Sequence, residues 1–445
     1  MGSPAWRQTV GLGTVLARTI AHFWPDWRRW LDRLRDTRDP GRTVFPTRYL
    51  VWEGLLVFLL KLGSRRRIRF DLDSPPALEN LNRLAACRQA KIAHGDTLNH
   101  FLGHILPEDL HGLRRRMVQR LLRMKALDGG RLFGHFLVVF DGTGQLVFSE
   151  RHCPHCLEQT FHGHTRYYHP VLEAKLVTPE GLAISVGTEF LQNPEPGASA
   201  QDCELKAFHR LAGLLKKDFP QLRLCLLLDA LYANGPVLDL CARFRWGSII
   251  TFKEGSLPAL WTEYQALLGL CPENRRAVLT ADGRRQTFAW IPDLPYTDAE
   301  GRTHRLAAFQ CEEQDRGKRR FFAWITNVPV TADRVAALAN RGGRVRWKIE
   351  NEGFNLQKNG GFALEHAYST GQPQMQNFYL LMQIAHLVLQ LVERGHLLVD
   401  RCQTLFGSLR ALTRRLTESL RHVLIGPEAF DPVAAARLRA RLDTS

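Results

Sequence analysis

Three carboxylates stand where their surroundings argue for chemistry rather than stability. Asp141 closes the run His-Phe-Leu-Val-Val-Phe-Asp, Asp229 closes Leu-Cys-Leu-Leu-Leu-Asp, and Glu350 ends Arg-Trp-Lys-Ile-Glu. Burying a charge without a partner costs several kcal/mol, so acids set against such apolar runs need a reason. Mg2+ takes hard oxygen ligands and keeps several waters, so two or three carboxylates on rigid elements suffice to hold it. A pair of such ions, Mg2+ or Mn2+, can clamp the attacking and leaving oxygens of phosphoryl transfer. Asp141, Asp229 and Glu350 are therefore predicted as metal ligands and catalytic residues together. The competing structural reading is an Asp that closes a turn, which Asp141-Gly142 also fits.

The elements that must position these residues follow from the apolar spacing. Residues 1–130 show three- and four-residue spacing through Val15–Leu34, Tyr49–Leu62, Leu78–Ala93 and Leu110–Leu127, which predicts helices. From about Phe133 the pattern becomes strand-like: Phe136–Asp141, Gln145–Phe148, Leu172–Val177 and Ala183–Phe190. A helix at Gln201–Lys217, a strand at Leu222–Asp229, a helix near Gly235–Phe244 and a strand at Ser248–Phe252 come next. Three strands, helix, strand, helix is the order of an RNase H-like mixed sheet core. The predicted fold class is thus α/β: a helical region (1–130), the first part of the core (131–255), a β-rich insertion (256–328), the second part of the core with the Glu350 helix (329–394), and a helical C-terminal tail (395–445).

The charge points to a polyanion. The 445 residues carry net +16, and residues 1–140 hold 24 Lys and Arg against 12 Asp and Glu, so that segment supplies +12. Uniform Arg enrichment would not concentrate the charge this way, and double-stranded DNA is the simplest partner. Arg65–Arg67 with Arg69, and Arg114–Arg116 with Arg120 and Arg123, are candidate phosphate contacts. Nine scattered cysteines read as reduced thiols and a cytoplasmic protein. The apolar stretches Tyr49–Leu60 and Asn377–Val392 are short or interrupted by polar residues and read as core helices, so no membrane is expected.

On a regular helix Arg346, Glu350, Phe354 and Lys358 fall at i+4 steps and form one row. Its bases would hold phosphate oxygens while Glu350 completes the metal site. Glu352 lies about 200° round the helix from Glu350, so only one of the two can face the Asp pair, and Glu350 is chosen.

Val-Val-Phe-Asp-Gly-Thr, Leu-Leu-Leu-Asp-Ala-Leu-Tyr-Ala-Asn-Gly-Pro, Trp-Ile-Thr-Asn and Arg-Val-Arg-Trp-Lys-Ile-Glu-Asn-Glu-Gly-Phe-Asn-Leu-Gln-Lys resemble the DDE transposases of bacterial insertion sequences, in the branch with a β-strand insertion domain. The resemblance spans roughly residues 136 to 391 and implies that Asp141, Asp229 and Glu350 bind two divalent metals. These would activate water to nick a transposon end, then the freed 3′-hydroxyl to attack target DNA, within a dimer on paired ends. Of the branch's Tyr-Arg-Glu-Lys signature, Arg346 and Glu350 match; Gly343 stands at the Tyr position and Gln357 at the Lys position, with Lys358 one residue later. Phe322 or Trp324 would correspond to an aromatic that holds a flipped base.

Cys153, Cys156, His162 and His164 form a candidate structural zinc set: a Cys-x2-Cys pair with closer His spacing than usual. Glu189, Asp202 and Glu204 are candidates for supporting the metal site from neighbouring elements. A haloacid-type phosphatase would need an Asp where Val139 stands and is excluded. A nuclease or resolvase that hydrolyses DNA without strand transfer, and a non-catalytic DNA-binding protein, remain as alternatives.

Overall fold

The computed structural model describes residues 11–193, 201–395, 405–431 and 433. It divides into two compact units, one of residues 1–127, 144–147 and 354–445, the other of 128–143 and 148–353.

The first unit is helical. It contains α1 (Leu12–Phe23), α2 (Trp27–Leu31), α3 (Thr47–Leu59), α4 (Ile68–Asp71), α5 (Pro75–Ala85), α6 (Gly95–Leu102) and α7 (Pro107–Arg123). The short α12 (Leu356–Asn359), α13 (Gln372–Arg394) and α14 (Leu409–His422) complete it. α3 is buried on every side from Tyr49 to Leu59, as befits a helix apolar all round, and it packs on α13. α13 is the one described helix long and apolar enough to cross a membrane, yet 94% of its apolar window is buried inside the protein. Ser74 and Ser408 cap α5 and α14 by accepting from the N–H groups of Ala77 and Ala411. The residues just after α14 are tied to α5. The Asn80 amide donates to the carbonyls of Leu420 and Val423 and accepts from the Ile425 N–H, and Ile425 is buried. The Arg clusters differ: Arg66, Arg67 and Arg69 are exposed, whereas Arg114 is buried and its guanidinium meets His111.

The second unit is built on a mixed sheet; residues 144–147 of its strand β1 are grouped with the first unit. Its strands are β1 (Phe136–Phe148), β2 (Leu157–Phe161), β3 (His164–Val177), β4 (Ala183–Phe190), β5 (Leu224–Leu228), β6 (Gly247–Thr251), β7 (Arg275–Leu279), β8 (Arg285–Thr297), β9 (Thr303–Asp315) and β10 (Lys318–Thr326). They lie in the order β2-β3-β1-β5-β6-β10-β9-β8-β7, with β4 also on β3. β1, β5 and β6 are parallel; β10 joins β6 antiparallel, and β7–β10 continue the sheet as hairpins. β5 is buried at every residue, the pattern of a strand covered on both faces. Helices α8 (Glu204–Asp218), α9 (Gly235–Phe244), α10 (Pro258–Leu270) and the single turn α11 (Val335–Ala337) flank it. α8 packs on β4, where Gly187 leaves room for Leu211: a Cβ there would lie 2.7 Å from the leucine.

Candidate active site

β1 and β5 run parallel, pairing Phe136 with Leu224 through Val139 with Leu227. Continued by two residues, that register sets Asp141 beside Asp229. The Asp-Gly turn expected after Asp141 does not form; β1 runs on to Phe148, and Asp141 lies within it. What frees the Asp141 side chain is the end of β5 at Leu228, beyond which Asp229 starts a 3-10 turn. Each Asp anchors itself locally: Asp141 Oδ1 accepts from the Gly142 N–H at 3.0 Å and Asp229 Oδ1 from the Leu231 N–H at 2.9 Å. The turn-closing reading is therefore true of Asp229, and it fixes the carboxylate rather than consuming it, since a carboxylate has further acceptor sites.

Asp141 is the electrostatic centre. Burial pushes its carboxyl up to about 6; Arg346 opposes the rise, and the charges of Glu204, Asp229 and Glu350 add to it. Arg346 Nη1 lies 3.5 Å from Asp141 Oδ2, its side chain only 14% exposed. Glu350 is exposed and has no ion pair among the described residues, whereas Glu352 pairs with Lys348 at 3.3 Å.

The segment carrying Glu350 is not the regular α-helix expected. Leu338–Gly342 and Ile349–Asn355 are π-helical and Gly343–Trp347 is a 3-10 stretch. Bonding at i+5 and i+3 dissolves the predicted i+4 row, and π segments of this kind recur at functional sites. Two departures from the signature now have physical reasons. A Cβ on Gly343 would meet the Trp324 indole at 2.3 Å, so the ring from β10 fills the space a side chain at 343 would need. Gln357 is buried and donates to Gln383 Oε1 at 2.9 Å and contacts His386 Nδ1 at 3.0 Å, an amide network in which a lysine charge would be costly. Lys358 belongs to the helical unit and pairs with Glu365 at 3.0 Å.

Trp324 does not suit the base-holding role. It is buried and stacks on both Phe309 and Phe322, and Arg344 lies over the Phe322 ring, so the aromatic faces are taken by protein.

Of the three acids considered as support, only Glu204 reaches the site. Glu189 and Asp202 both pair with Arg210, at 2.6 and 2.7 Å. Glu204, in the first turn of α8, accepts from the Tyr232 hydroxyl at 2.7 Å, and a Cβ on Gly142 would stand 2.7 Å from its Oε2. Burial and Asp229 raise the Glu204 carboxyl while the Tyr232 hydroxyl lowers it. Tyr232 itself is fully buried and, pushed up by burial and by Glu204, stays protonated as a donor. The spacing Asp229 to Tyr232, one 3-10 turn, was the only sequence signal for this partner.

Asp141 therefore feels the charges of three further acids and of one guanidinium. Among the described residues, trios of ligand atoms within 4.8 Å of one another occur at Cys153, Cys156 and His169 and at Asp239, Asp298 and His304, not among these acids. The Asp239 trio is an ion-pair network, because Arg302 bonds both Asp239 and Asp298.

The zinc set read from the sequence needs correcting. His162 and His164 lie at the β2–β3 turn, where His162 adopts φ +48°, and neither belongs to the sulfur cluster. His169, five residues further along β3, takes their place: Leu157 pairs with Tyr168, so Cys156 falls opposite His169. Burial keeps His169 a neutral imidazole, down to about 4. Compared with known proteins, the chain matches no family model and no curated protein.

Proposed function

We propose that the protein is a metal-dependent DNA transposase of the DDE type, with an RNase H-like core extended by the β-rich segment β7–β10. The observation that carries the reading is the convergence of the Asp229, Glu204 and Glu350 charges on the desolvated Asp141 carboxyl, whose near countercharge among the described residues is Arg346. The element order supports the core: β1, β3 and β4, with β2 added along the first residues of β3, then α8, β5, α9 and β6, with β1 between β3 and β5. The charge excess of residues 1–140 supports double-stranded DNA, both transposon ends and target, as the partner. A dimer on paired ends and a cytoplasmic location complete the proposal.

Two bound Mg2+ or Mn2+ ions would supply Lewis acidity and an activated oxygen nucleophile. Asp141 and Asp229 offer oxygens fixed by backbone N–H groups, and Glu350 offers one from the π-helical segment. Arg346, balanced on Asp141, can turn its second face to a phosphate oxygen. Tyr232 holds Glu204 in place against Gly142. Lys358 would bind phosphate only by exchanging Glu365 for it.

The test is strand transfer by the full chain with pre-cleaved ends of the flanking DNA and Mg2+ or Mn2+. Joined product supports the transposase; hydrolysis without joining supports the nuclease or resolvase reading; absence of metal-dependent nicking supports a DNA-binding protein without catalysis.

A further inference from the structure

Away from the acidic site, the connection from β1 to β2 folds back on β3. Cys153 and Cys156 form a tight turn in which the Cys156 N–H reaches the Cys153 carbonyl at 3.4 Å. The two sulfurs are 3.5 Å apart, and His169 Nε2 lies 3.4 Å from Cys153 Sγ and 3.3 Å from Cys156 Sγ. Cys156 and His169 are buried and Cys153 half-buried. Buried His169 leaves its other ring nitrogen, Nδ1, without a hydrogen-bond partner. One imidazole nitrogen facing two thiols, which are weak donors, and the other unpaired is a poor arrangement for a buried polar ring.

The same three atoms make a good face of a metal tetrahedron. Bond lengths of about 2.3 Å for Zn–S and 2.0–2.1 Å for Zn–N require tetrahedral edges of about 3.8 Å between sulfurs and about 3.6 Å from sulfur to nitrogen. The observed edges fall within a few tenths of an ångström of these. We propose that Cys153, Cys156 and His169 bind a structural Zn2+, a site separate in residues and chemistry from the carboxylate site. Soft thiolates with one imidazole select zinc over the hard ions that carboxylates prefer. Binding converts two thiols to thiolates and releases their two protons to solvent, while neutral His169 contributes its Nε2 lone pair. The remaining corner goes to water or to the neighbouring His152.

The site has a structural consequence. The Asn193 side-chain amide donates to the Cys156 carbonyl at 3.0 Å, and the Asn193 backbone carbonyl meets His155 Nδ1 at 2.8 Å. Asn193 Oδ1 accepts from the Asp202 N–H at 3.2 Å, two residues before Glu204. A metal here would pin the β1–β2 connection to β3 and brace the start of α8.

The experiment is metal analysis of the purified full-length chain after dialysis against a weak chelator, with Co2+ substitution followed by absorption. About one zinc per chain is expected, together with an intense thiolate-to-cobalt charge-transfer band. Cys153→Ser with Cys156→Ser, and His169→Ala separately, should lose the metal; His162→Ala with His164→Ala should keep it. The Co2+ spectrum of the unmutated chain needs no variant to fold. No stoichiometric zinc together with no charge-transfer band, even when the protein is produced with added zinc, overturns the proposal. So does zinc that survives His169→Ala but is lost from the His162 and His164 variant. None of these readouts depends on DNA cleavage, so failure of the zinc site and failure of the transposase reading are distinguishable.

Discussion

Two carboxylates in the sheet-based unit, Glu313 fully buried and Asp141 half-buried, meet opposite electrostatic fates. Glu313 on β9 has a fully buried side chain and is surrounded by Arg344 at 2.6 Å, Arg284 at 3.3 Å and Arg320 at 3.4 Å, with the Gln286 amide at 2.8 Å. Its carboxyl is held down to about 2, chiefly by its hydrogen bonds to Arg344. Asp141 on β1 faces three acids and one arginine, and its carboxyl is pushed up to about 6. The first site is charge-matched and complete. The second carries an excess of negative charge that the fold does not balance, which is the property expected of a place that receives a cation from outside. Countercharge separates the two: three guanidinium groups around Glu313, one beside Asp141.

The sharpest way to break this contrast is to neutralise each acid. Asp141→Asn, Asp229→Asn and Glu350→Gln should each lower metal-dependent DNA nicking by on the order of 10³-fold or more, since the lost charge stabilisation amounts to several kcal/mol. Asp141→Asn should also unfold at equal or higher urea concentration at pH 7.5. Glu313→Gln should do the reverse: it strands three guanidinium groups around a neutral amide and should cost about 3–5 kcal/mol of stability by denaturant titration. Its nicking rate per folded molecule should stay near that of the unmutated chain.

Arg346 sharpens the comparison next, as the near countercharge of Asp141 among the described residues. Arg346→Ala should lower activity by roughly 10- to 100-fold, with Arg346→Lys recovering part of it, because the contact tunes a metal ligand and the lysine keeps the charge.

The pH dependence separates the two sites by sign. The folded state holds the Asp141 proton more tightly than the unfolded state, whose carboxyl titrates near 3.8. The penalty, on the order of 3 kcal/mol, is therefore present above about pH 6 and is relieved as pH falls from there towards 3.8. The stability advantage of Asp141→Asn should shrink over that window. Metal-dependent nicking should fall by about tenfold per pH unit below about pH 6, as one proton competes with the cation. Glu313 behaves oppositely: its contribution is complete above about 4.5 and is lost as pH falls towards 2. The smallest effect belongs to Gly142→Ala. The added Cβ meets Glu204 Oε2, the far end of a flexible side chain, so a loss of activity of a few-fold up to about tenfold is expected.

Much of the sheet-based unit was legible because buried strands and capped helices announce themselves locally. Ala183–Phe190 and Gly235–Phe244 fall where the apolar pattern put them. β1 was split wrongly, because Asp141-Gly142 reads as a turn in isolation while the extended backbone is kept through the glycines. The Glu350 segment was read as a regular helix; its π and 3-10 turns follow from packing such as Trp324 against Gly343, 19 residues apart in sequence, which periodicity does not register. In the candidate site, Asp141 and Asp229 were visible as acids beside apolar strands. Glu204 was visible only as one of three candidates, because its proximity depends on Tyr232 and on Arg210 engaging the other two. The choice of His169 over His162 and His164 needed the β2–β3 register.

The most direct test of the account is Mg2+- or Mn2+-dependent nicking of duplex DNA by the full chain beside its Asp141→Asn variant, with folding of both checked by denaturant titration. The account predicts metal-dependent nicking by the unmutated chain and its loss in a variant at least as stable. Equal nicking by both, or no nicking by a folded, DNA-bound unmutated chain at any pH between 6 and 9, would contradict it.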